Sequence, residues 1–483
     1  MKVLFIASEA DPLVKVGGLG DVAGSLPRAL QSLPPKLTNG EKLDIRLVIP
    51  YHASVRQKIS DPKIAACFMI PYKDGPVPGQ ALSIELDGLK VYMISGSPIP
   101  FQGPVYSTNA GEDANKYVYF SLSALELARQ LNWKPDILHA NDWHTAAAVF
   151  ELAVKRPSDP FFANTRSVLS IHNLPFMGSG AEEAMTSFGL TAPEDSALPE
   201  WARHFPLPLG LEAADQLVAV SPTYGKEILT ADFGCGLQDF LQTRQDSISG
   251  ILNGLDTALW DPSNDPALPF TYTEKDLSAR WANKQALLAE FSLVADNNLP
   301  LLAMIGRVDQ QKGFDLAVKA LRELPNTPWQ AILLGTGDPI MEESCRKLEK
   351  EFPDRVRAAI RFDTQLSRRI YGGADMLLMP SRYEPCGLAQ MIAMRYGCVP
   401  IARATGGLKD TIIDMPIKNR TGFLFDEASP EALATAIQRG LDCFRDRQEW
   451  QAIQLQGMKQ DFSWRQSALA YAQIYYNLME KKL

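Results

Sequence analysis

Glu384 and the glycine pair Gly406–Gly407 are residues whose types suit the binding of a sugar phosphate. A carboxylate accepts hydrogen bonds from sugar hydroxyl groups, and the backbone amides that begin a helix can hold a phosphate. The alternative is that Glu384 caps a helix and that the two glycines only turn the chain. The residue types therefore suggest, without deciding it, a site for a sugar attached to a phosphate.

A second glycine pair, Gly17–Gly18, follows Lys15 near the start of the chain. Glycines let the backbone approach a ligand closely, and lysine brings a point charge suited to phosphate. The spacing is not that of a P-loop. The string GGLGD at 17–21 recurs as GGLKD at 406–410, which suggests two similar α/β halves facing one cleft; a chance match of so short a string is the alternative.

Three further side chains stand next to predicted strand ends. Arg307 and Lys312 follow the apolar run 300–306, and two cations so close together could clamp a diphosphate. A solvated surface pair is the alternative. His144 stands at a junction between a strand and a helix, where it is either a functional side chain or a structural histidine.

The elements that must position these residues are short apolar strands alternating with helices, the pattern of a parallel sheet with covered faces. In such sheets ligands bind beyond the carboxyl ends of the strands. Strands are predicted at 3–7, 44–50, 135–139, 168–172, 217–220, 300–306, 331–335, 358–362, 374–379 and 398–402, with a hairpin over 80–94. Helices are predicted at 20–30, 116–131, 272–291, 388–396, 408–413 and 464–478, and one begins after Ser221.

Chain length, net charge and cysteine spacing exclude several classes of protein. A chain of 483 residues with a net charge of −8 suits two or three globular domains and gives no basic surface for nucleic acid or membranes. The six cysteines are far apart, without the pairing of a zinc site or a disulfide framework. We expect neither a signal peptide nor a membrane span. The predicted location is the cytoplasm, or a plastid-like compartment after processing.

Six strings carry a resemblance that runs nearly from end to end. They are LVKVGGLGDV (13–22), HANDWHTA (139–146), LSIHNLPFMG (169–178), ILNGLDTALWDP (251–262), GRVDQQKGFD (306–315) and PSRYEPCGLAQMIAMRYGCVPIARATGGLKDT (380–411). In these strings the chain resembles the bacterial glycogen synthases and plant starch synthases. The resemblance implies an α/β protein of the GT-B fold, with two Rossmann-like domains that have parallel sheets and face a deep cleft.

The resemblance also implies an activity and a division of the chain. It implies transfer of glucose from ADP-glucose to the non-reducing end of an α-1,4-glucan, glycogen or starch, with retention at the anomeric carbon. No metal and no other cofactor are implied, and the oligomeric state is left open. The implied domains are 1–255 on the acceptor side, 256–455 for the nucleotide sugar, and 456–483, a helix that packs back on the first domain.

Matching positions carry implied roles at the donor. The resemblance implies that Arg307 and Lys312 bind the diphosphate, that Glu384 holds the glucose and that His144 contacts it. It places Lys15, Gly17 and Gly18 near the donor phosphates and sugar. It places Cys386, Gly387 and Leu388 beside the sugar and distal phosphate, and Phe362 against the adenine. His144, Glu384, Arg307 and Lys312 are the expected catalytic residues. Since no second carboxylate is clearly placed as a nucleophile, we expect a front-face displacement in which ADP helps to deprotonate the incoming hydroxyl.

On the acceptor side the resemblance points to Asp21 and to one of two neighbouring acids. Glu112–Asp113 stands where many members have Asp-Asn before Arg-Phe, so either acid is a candidate. Other departures are Val16 in place of a threonine, Ala389 where some members have threonine, and Ile392 where the wider glycosyltransferase pattern has a second acid.

Three other functions compete with this one. The first is a GT-B transferase that uses UDP-glucose or a small acceptor, against which the strings HANDWHT and YEPCGLAQ argue. The second is a glucan-binding or priming protein with weak or lost activity, yet the five positions Lys15, His144, Arg307, Lys312 and Glu384 are intact. The third is a nucleotide-sugar epimerase on the same fold.

Overall fold

The computed structural model describes residues 1–480, which form two compact units. The first unit contains residues 1–254 together with residues 464–480, and the second contains Leu255–Ser463. The expected second boundary, after residue 455, falls inside a helix of the second unit. The chain therefore leaves the first unit once and returns to it for the last helix.

A nine-stranded sheet forms the centre of the first unit, in the order β3-β4-β5-β2-β1-β6-β7-β8-β9. Its strands are β1 (Lys2–Ile6), β2 (Asp44–Pro50), β3 (Lys63–Ile70), β4 (Val77–Leu86), β5 (Leu89–Gly96), β6 (Ile137–Asn141), β7 (Arg166–Ile171), β8 (Gln216–Ala219) and β9 (Ile248–Gly250). The pairs β3–β4 and β4–β5 are antiparallel, and the remaining pairs are parallel. Central strands such as β1 and β6 are buried on both faces because helices cover both sides of the sheet.

A wholly parallel six-stranded sheet forms the centre of the second unit, in the order β12-β11-β10-β13-β14-β15. Its strands are β10 (Leu301–Ile305), β11 (Gln330–Gly335), β12 (Val356–Ile360), β13 (Met376–Met379), β14 (Val399–Arg403) and β15 (Phe423–Phe425). The predicted α/β class with parallel sheets is confirmed.

Helices connect the strands and cover the sheets. They are α1 (Gly18–Gln31), α2 (Ala53–Lys58), α3 (Ala110–Gln130), α4 (Trp143–Lys155), α5 (Glu182–Ser187), α6 (Pro206–Ala213), α7 (Pro222–Glu227), α8 (Gln238–Thr243), α9 (Ser278–Glu290), α10 (Phe314–Arg322), α11 (Pro339–Glu351), α12 (Thr364–Gly373), α13 (Ala389–Arg395), α14 (Gly406–Thr411), α15 (Pro430–Arg445), α16 (Arg447–Met458) and α17 (Trp464–Glu480).

Local chemistry explains several of these boundaries. The hairpin between β4 and β5 turns at Asp87 and Gly88, whose φ angles are 52° and 78°, as its sequence predicts. Helix α7 begins after Ser221, whose hydroxyl accepts a hydrogen bond from the Tyr224 amide, also as predicted. Helix α3 begins six residues earlier than predicted because the side chain of Asn109 caps it at Gly111 and Glu112.

Other predicted bounds differ from the structure. Helix α9 begins at Ser278 instead of residue 272, because the Asp276 carboxylate accepts a hydrogen bond from the Ser278 amide and turns the preceding chain. Strand β12 ends at Ile360, two residues before its predicted end. Strands β3, β9 and β15, each at the edge of its sheet, are absent from the predicted set.

A polar cluster fixes helix α17 within the first unit. The imidazole of His139 on β6 pairs with the Tyr475 hydroxyl at 2.6 Å through Nδ1 and with the Ser170 hydroxyl at 2.8 Å through Nε2. The Tyr471 hydroxyl lies 3.3 Å from the same Ser170 oxygen. These bonds satisfy polar groups that are otherwise buried with the apolar core, and they attach the end of the chain to its first sheet.

Candidate active site

Lys312 and Glu384 form an ion pair at the carboxyl ends of two neighbouring strands of the second unit. Lys312 follows β10, and Glu384 follows β13, which pairs with β10. The Lys312 ammonium donates to Oε2 of Glu384 at 2.6 Å, and the Ser381 hydroxyl donates to the same oxygen at 2.9 Å. Glu384 does not cap α13, whose N-cap position is held by Leu388 without a side-chain bond. Its side chain is instead 7 % exposed, and the carboxylate is held by a cation.

Arg307 lies at the end of the same strand as Lys312 but faces solvent. Its side chain is 62 % exposed; it donates to Gln311 Oε1 at 2.8 Å and lies 3.4 Å from Asp309. The Asp309 carboxylate also accepts a bond from the Lys312 amide at 2.8 Å, which closes the turn between the two cations. One cation is therefore paired and half-buried, and the other is held by neutral and acidic partners at the surface.

The glycine pair at 406–407 allows α14 to approach the loop that carries Glu384. A Cβ atom on Gly406, whose φ is +43°, would lie 2.0 Å from the Glu384 carbonyl oxygen. A Cβ atom on Gly407 would lie 2.1 Å from the Cys386 carbonyl oxygen. The Gly407 amide donates to the Glu384 carbonyl at 3.1 Å, so it is engaged within the protein instead of being open to a phosphate.

The residues between Glu384 and α13 form a tight turn around Gln390. Gly387 has a φ of +73°, and the Gln390 side-chain amide donates to the carbonyl oxygens of Cys386 and Gly387 at 3.0 and 3.1 Å. Cys386 is buried and Leu388 is half-buried. This network fixes the backbone just before α13 in one conformation.

Phe362 is 85 % exposed and lies two residues beyond the end of β12. An aromatic ring left in solvent at the carboxyl edge of a parallel sheet is available to stack on a flat ligand. Its neighbours Arg361 and Asp363 pair with each other at 3.1 Å.

The loop before α1 in the first unit is closed by its own ion pair. Lys15 Nζ donates to Asp21 Oδ1 at 2.5 Å, and Gly18 begins the helix. A Cβ atom on Gly18 would meet nothing within 4 Å, so the backbone there is open. Lys15, Gly17, Gly18 and Asp21 are thus brought together, as their spacing predicts for one loop and one helical turn.

Sequence reasoning missed Glu9, which lies inside this loop. Its carboxylate is 1 % exposed and accepts hydrogen bonds from the amides of Val16 and Gly17 and from the Tyr106 hydroxyl. Burial raises the pKa of this carboxyl group, while the two amide bonds and the Tyr106 bond lower it. A glutamate directly after a buried strand was the available signal, but its partner Tyr106 is 97 residues away in sequence.

His144 lies in the first turn of α4, buried among aromatic rings. Its ring centroid is 4.3 Å from that of Trp143, 4.6 Å from that of Tyr117 and 5.1 Å from that of Tyr106. Burial lowers the pKa of the imidazole well below its ordinary value, and the Lys116 charge lowers it further, so the ring is neutral. The Nδ1 atom is buried and has no hydrogen-bond partner in the protein. Most buried polar atoms in proteins have a hydrogen-bond partner, so this nitrogen is an exception.

The two neighbouring acids of α3 lie in different environments. Asp113 is buried, pairs with Lys116 at 2.6 Å and accepts the Ser107 amide through both carboxylate oxygens. Glu112 is exposed and accepts the Ser107 hydroxyl at 3.0 Å. Asp113 therefore holds the loop before α3, and Glu112 is the acid that solvent and a ligand can reach.

No helix within residues 1–480 is both long and apolar enough to cross a membrane. Within the same range no group of three or more His, Cys, Asp or Glu side chains could hold a metal ion.

Comparison with known proteins gives matches over both units. A family model described as the starch synthase catalytic domain matches residues 2–243, and one described as glycosyl transferases group 1 matches residues 288–453. The chain is 41 % identical to a glycogen synthase of Anaeromyxobacter sp. (strain Fw109-5), over 99 % of each chain. It is 38 % identical to glycogen synthase 2 of Nitrosococcus oceani, over 100 % of this chain and 98 % of that one.

Solved structures give the same result. The chain is similar to the catalytic domain of starch synthase IV from Arabidopsis thaliana bound to ADP and acarbose, with a TM-score of 0.85, 31 % identity and coverage of 99 % of each chain. It shares its fold with the sucrose-phosphate synthase of Thermosynechococcus elongatus, with a TM-score of 0.62 and 21 % identity, over 99 % of this chain and 98 % of that one.

Proposed function

We propose a specific reaction for this chain, which belongs to the glycogen and starch synthase family of glucosyltransferases. The chain transfers glucose from ADP-glucose to the non-reducing end of an α-1,4-glucan, with retention at the anomeric carbon. The two α/β units are those of the GT-B fold. As a member of this family the chain is an enzyme that transfers glucosyl groups to a glucan. The identity of the donor nucleotide, the linkage and the roles of individual residues are the proposed part.

The observation that carries the proposal is the ion pair of Lys312 and Glu384 at adjacent strand ends. A cation and a carboxylate side by side match the two parts of a sugar nucleotide, because the ammonium suits a phosphate and the carboxylate suits sugar hydroxyl groups. Glu384 is fixed by Ser381 as well, so it presents its remaining lone pairs in a set direction. We assign the donor glucose to Glu384 and the diphosphate to Lys312.

Arg307 is assigned to the same diphosphate. Negative charge develops on ADP as the glycosidic bond breaks, and cations already in place lower the barrier without reorganising during the reaction. The exposed guanidinium of Arg307 is available to the phosphates, since its partners Gln311 and Asp309 lie at the surface. We assign the adenine to the exposed ring of Phe362, and the sugar and distal phosphate to the fixed backbone of Cys386, Gly387 and Leu388.

Residues of the first unit are assigned to the sugar and the acceptor. The neutral imidazole of His144 has a buried Nδ1 without a partner, which supports a hydrogen bond to a bound sugar. We assign Lys15, Gly17 and Gly18 to the donor, and Asp21 to the acceptor side. Of the two acids in α3, exposure favours Glu112 for the acceptor, since Asp113 is occupied by Lys116.

The proposed chemistry is a front-face displacement. The bond between the anomeric carbon and the departing phosphate oxygen breaks, the acceptor hydroxyl oxygen bonds to that carbon on the same face, and its proton passes to the departing ADP. Retention follows because attack and departure share one face. We assign no metal and no cofactor to this reaction, as the family implies.

The functional assignment of the units and the setting of the reaction are also proposals. We assign the acceptor to the first unit and the nucleotide sugar to the second. The six cysteines, all within the described residues, form no disulfide bond, which suits a reducing compartment such as the bacterial cytoplasm. The negative net charge of −8 favours neither nucleic acid nor an acidic membrane surface as a partner.

Release of ADP from ADP-glucose, with and without glycogen and with UDP-glucose in parallel, tests the proposal. We expect release that depends on glycogen and is faster with ADP-glucose. Equal or faster release from UDP-glucose would overturn the donor assignment, and release that ignores glycogen would overturn the acceptor. A folded protein that releases neither nucleotide would point to a glucan-binding or priming role.

A further inference from the structure

We infer that Glu9 is a positioning residue that holds the Lys15 loop (residues 15–18) in the conformation required for donor binding, and that Tyr106 connects this residue to His144. The inference rests on the proposed function, which assigns the loop and His144 to the donor sugar. It concerns a carboxylate to which the proposed function gives no role.

The loop is wrapped around the Glu9 carboxylate. Both carboxylate oxygens lie 3.2 Å from the Gly17 amide nitrogen, and Oε2 also accepts a hydrogen bond from Val16. A Cβ atom on Gly20 would lie 3.2 Å from Oε2, so the first turn of α1 also packs against the carboxylate. Bonds from backbone amides to an ionised carboxylate are stronger than bonds between neutral groups, so Glu9 fixes the backbone there.

This arrangement divides the amides of the loop between the protein and a ligand. The amides of Val16 and Gly17 are taken by Glu9. The next amides in the chain, those of Gly18 and Leu19, belong to the first turn of α1, where the N–H groups have no acceptor within the helix. Glu9 thus directs the free amides, and not those of Val16 and Gly17, toward a bound anion or sugar.

Tyr106 links the loop to the histidine. Its hydroxyl donates to Oε1 of Glu9 at 3.1 Å and lies 3.0 Å from the Ser8 hydroxyl, while its ring centroid is 5.1 Å from that of His144. One half-buried side chain therefore contacts both the carboxylate that sets the loop and the imidazole assigned to the sugar. A displacement of the Glu9 side chain would therefore shift both the Lys15 loop and the ring that packs against His144.

The test compares Glu9→Gln with wild type in the full chain and uses Glu85→Gln, an exposed glutamate of β4, as the control. Glutamine keeps the size of Glu9 but removes the charge that holds two amides. Hydrogen exchange measured on the peptide that contains Val16 and Gly17 reports the loop without any substrate. We expect exchange there to speed up by about tenfold or more in Glu9→Gln, as the loss of a bond to a charged group predicts.

Kinetics separate a positioning role from a structural one. We expect KM for ADP-glucose to rise about tenfold or more in Glu9→Gln while KM for glycogen stays within about twofold, and Glu9→Asp to recover part of the loss. Tyr106→Phe keeps the ring but removes the hydroxyl, so it should shift the same two readouts less. It also carries the test if Glu9→Gln does not fold.

Unchanged exchange in Glu9→Gln, or a lower melting temperature with KM for ADP-glucose unchanged, would overturn the inference. If wild type itself does not turn over ADP-glucose, the proposed function fails, whereas faster exchange would still establish that Glu9 holds the loop.

Discussion

Oε2 of Glu384 accepts hydrogen bonds from two residues of different strand ends, and the bond from Lys312, at 2.6 Å, is the shorter. The pair joins the loop after β10 to the loop after β13. Its carboxylate is almost fully withdrawn from solvent, while part of the lysine side chain stays accessible. A ligand phosphate could therefore reach the ammonium without displacing the carboxylate.

Replacement of Glu384 by alanine is expected to lower the turnover number for ADP release by about a hundredfold or more, because the contact that positions the sugar is lost. The half-exposed Lys312 can be solvated in this variant, so the protein should remain folded. Glu343→Ala, at a glutamate of α11 whose side chain is 46 % exposed, is the matched control. Near-normal turnover in Glu384→Ala would remove this residue from the site.

Lys312→Ala and Glu384→Ala should not be additive. Each loss in kcat/KM is expressed as a free energy, RT ln of the ratio of wild type to variant. Because the two side chains are in contact, the loss in the double variant should be smaller than the sum of the two single losses by about 1 kcal/mol or more. Steady-state kinetics of the four proteins give this coupling. Strict additivity would mean that the two residues act independently in the reaction.

Arg307→Ala should lower kcat/KM for ADP-glucose with little change in thermal stability, since the guanidinium is exposed and its partners are at the surface. Arg445→Ala, whose side chain is 67 % exposed and pairs with Asp442, is the control for loss of a surface cation. Equal kinetics for the two variants would exclude Arg307 from the diphosphate.

The two similar glycine motifs should differ in their tolerance of alanine. Gly407→Ala places a methyl group 2.1 Å from the Cys386 carbonyl oxygen and should cost about 1–3 kcal/mol of stability, measured by denaturant unfolding. Gly18→Ala meets nothing within 4 Å and should leave the stability nearly unchanged. A similar loss in both variants would contradict the observed difference in packing.

Acidification should weaken the first unit through His52. The pKa of this imidazole is lowered to about 4: burial is the largest cause, the bond to the Ser8 carbonyl opposes it, and the Lys116 and Arg56 charges add to the lowering. Between pH 6.5 and about 4 the unfolded chain binds a proton here that the folded chain does not, so stability falls as the pH falls.

The His52→Gln variant isolates this contribution, since other groups titrate equally in both proteins. The melting temperature of wild type minus that of His52→Gln should decrease as the pH is lowered from 7 to 4. A difference independent of pH would mean that His52 is protonated to the same extent in both states.

Apolar runs made the strands easy to predict, and the reasons for the failures are specific. Strand β13 (MLLM) is a continuous apolar segment, and β1, β2 and β14 contain the apolar stretches VLFI, LVIP and VPIA. Strand β3 has the sequence KIAACFMI and is partly exposed at the edge of the sheet, so its apolar pattern resembles neither a buried strand nor an alternating one. The start of α3 depended on one capping side chain, Asn109.

The candidate site was predictable where its residues adjoin strand ends and not where it depends on contacts distant in sequence. Arg307, Lys312 and Glu384 each follow a recognisable strand. The pairing of Lys312 with Glu384 spans 72 residues, and the bond from Tyr106 to Glu9 spans 97. Neither distance is encoded by local periodicity, since both depend on how the sheet orders its strands and where α3 packs.

The most direct test of the account is a reaction with glycogen and ADP-glucose carrying ¹³C at the anomeric carbon, in which released ADP is counted and the product is examined by NMR. The account predicts one labelled glucose in the glucan for each ADP released, joined by an α-1,4 bond. Labelled glucose free in solution, or a β-linked product, would contradict retaining transfer to the glucan.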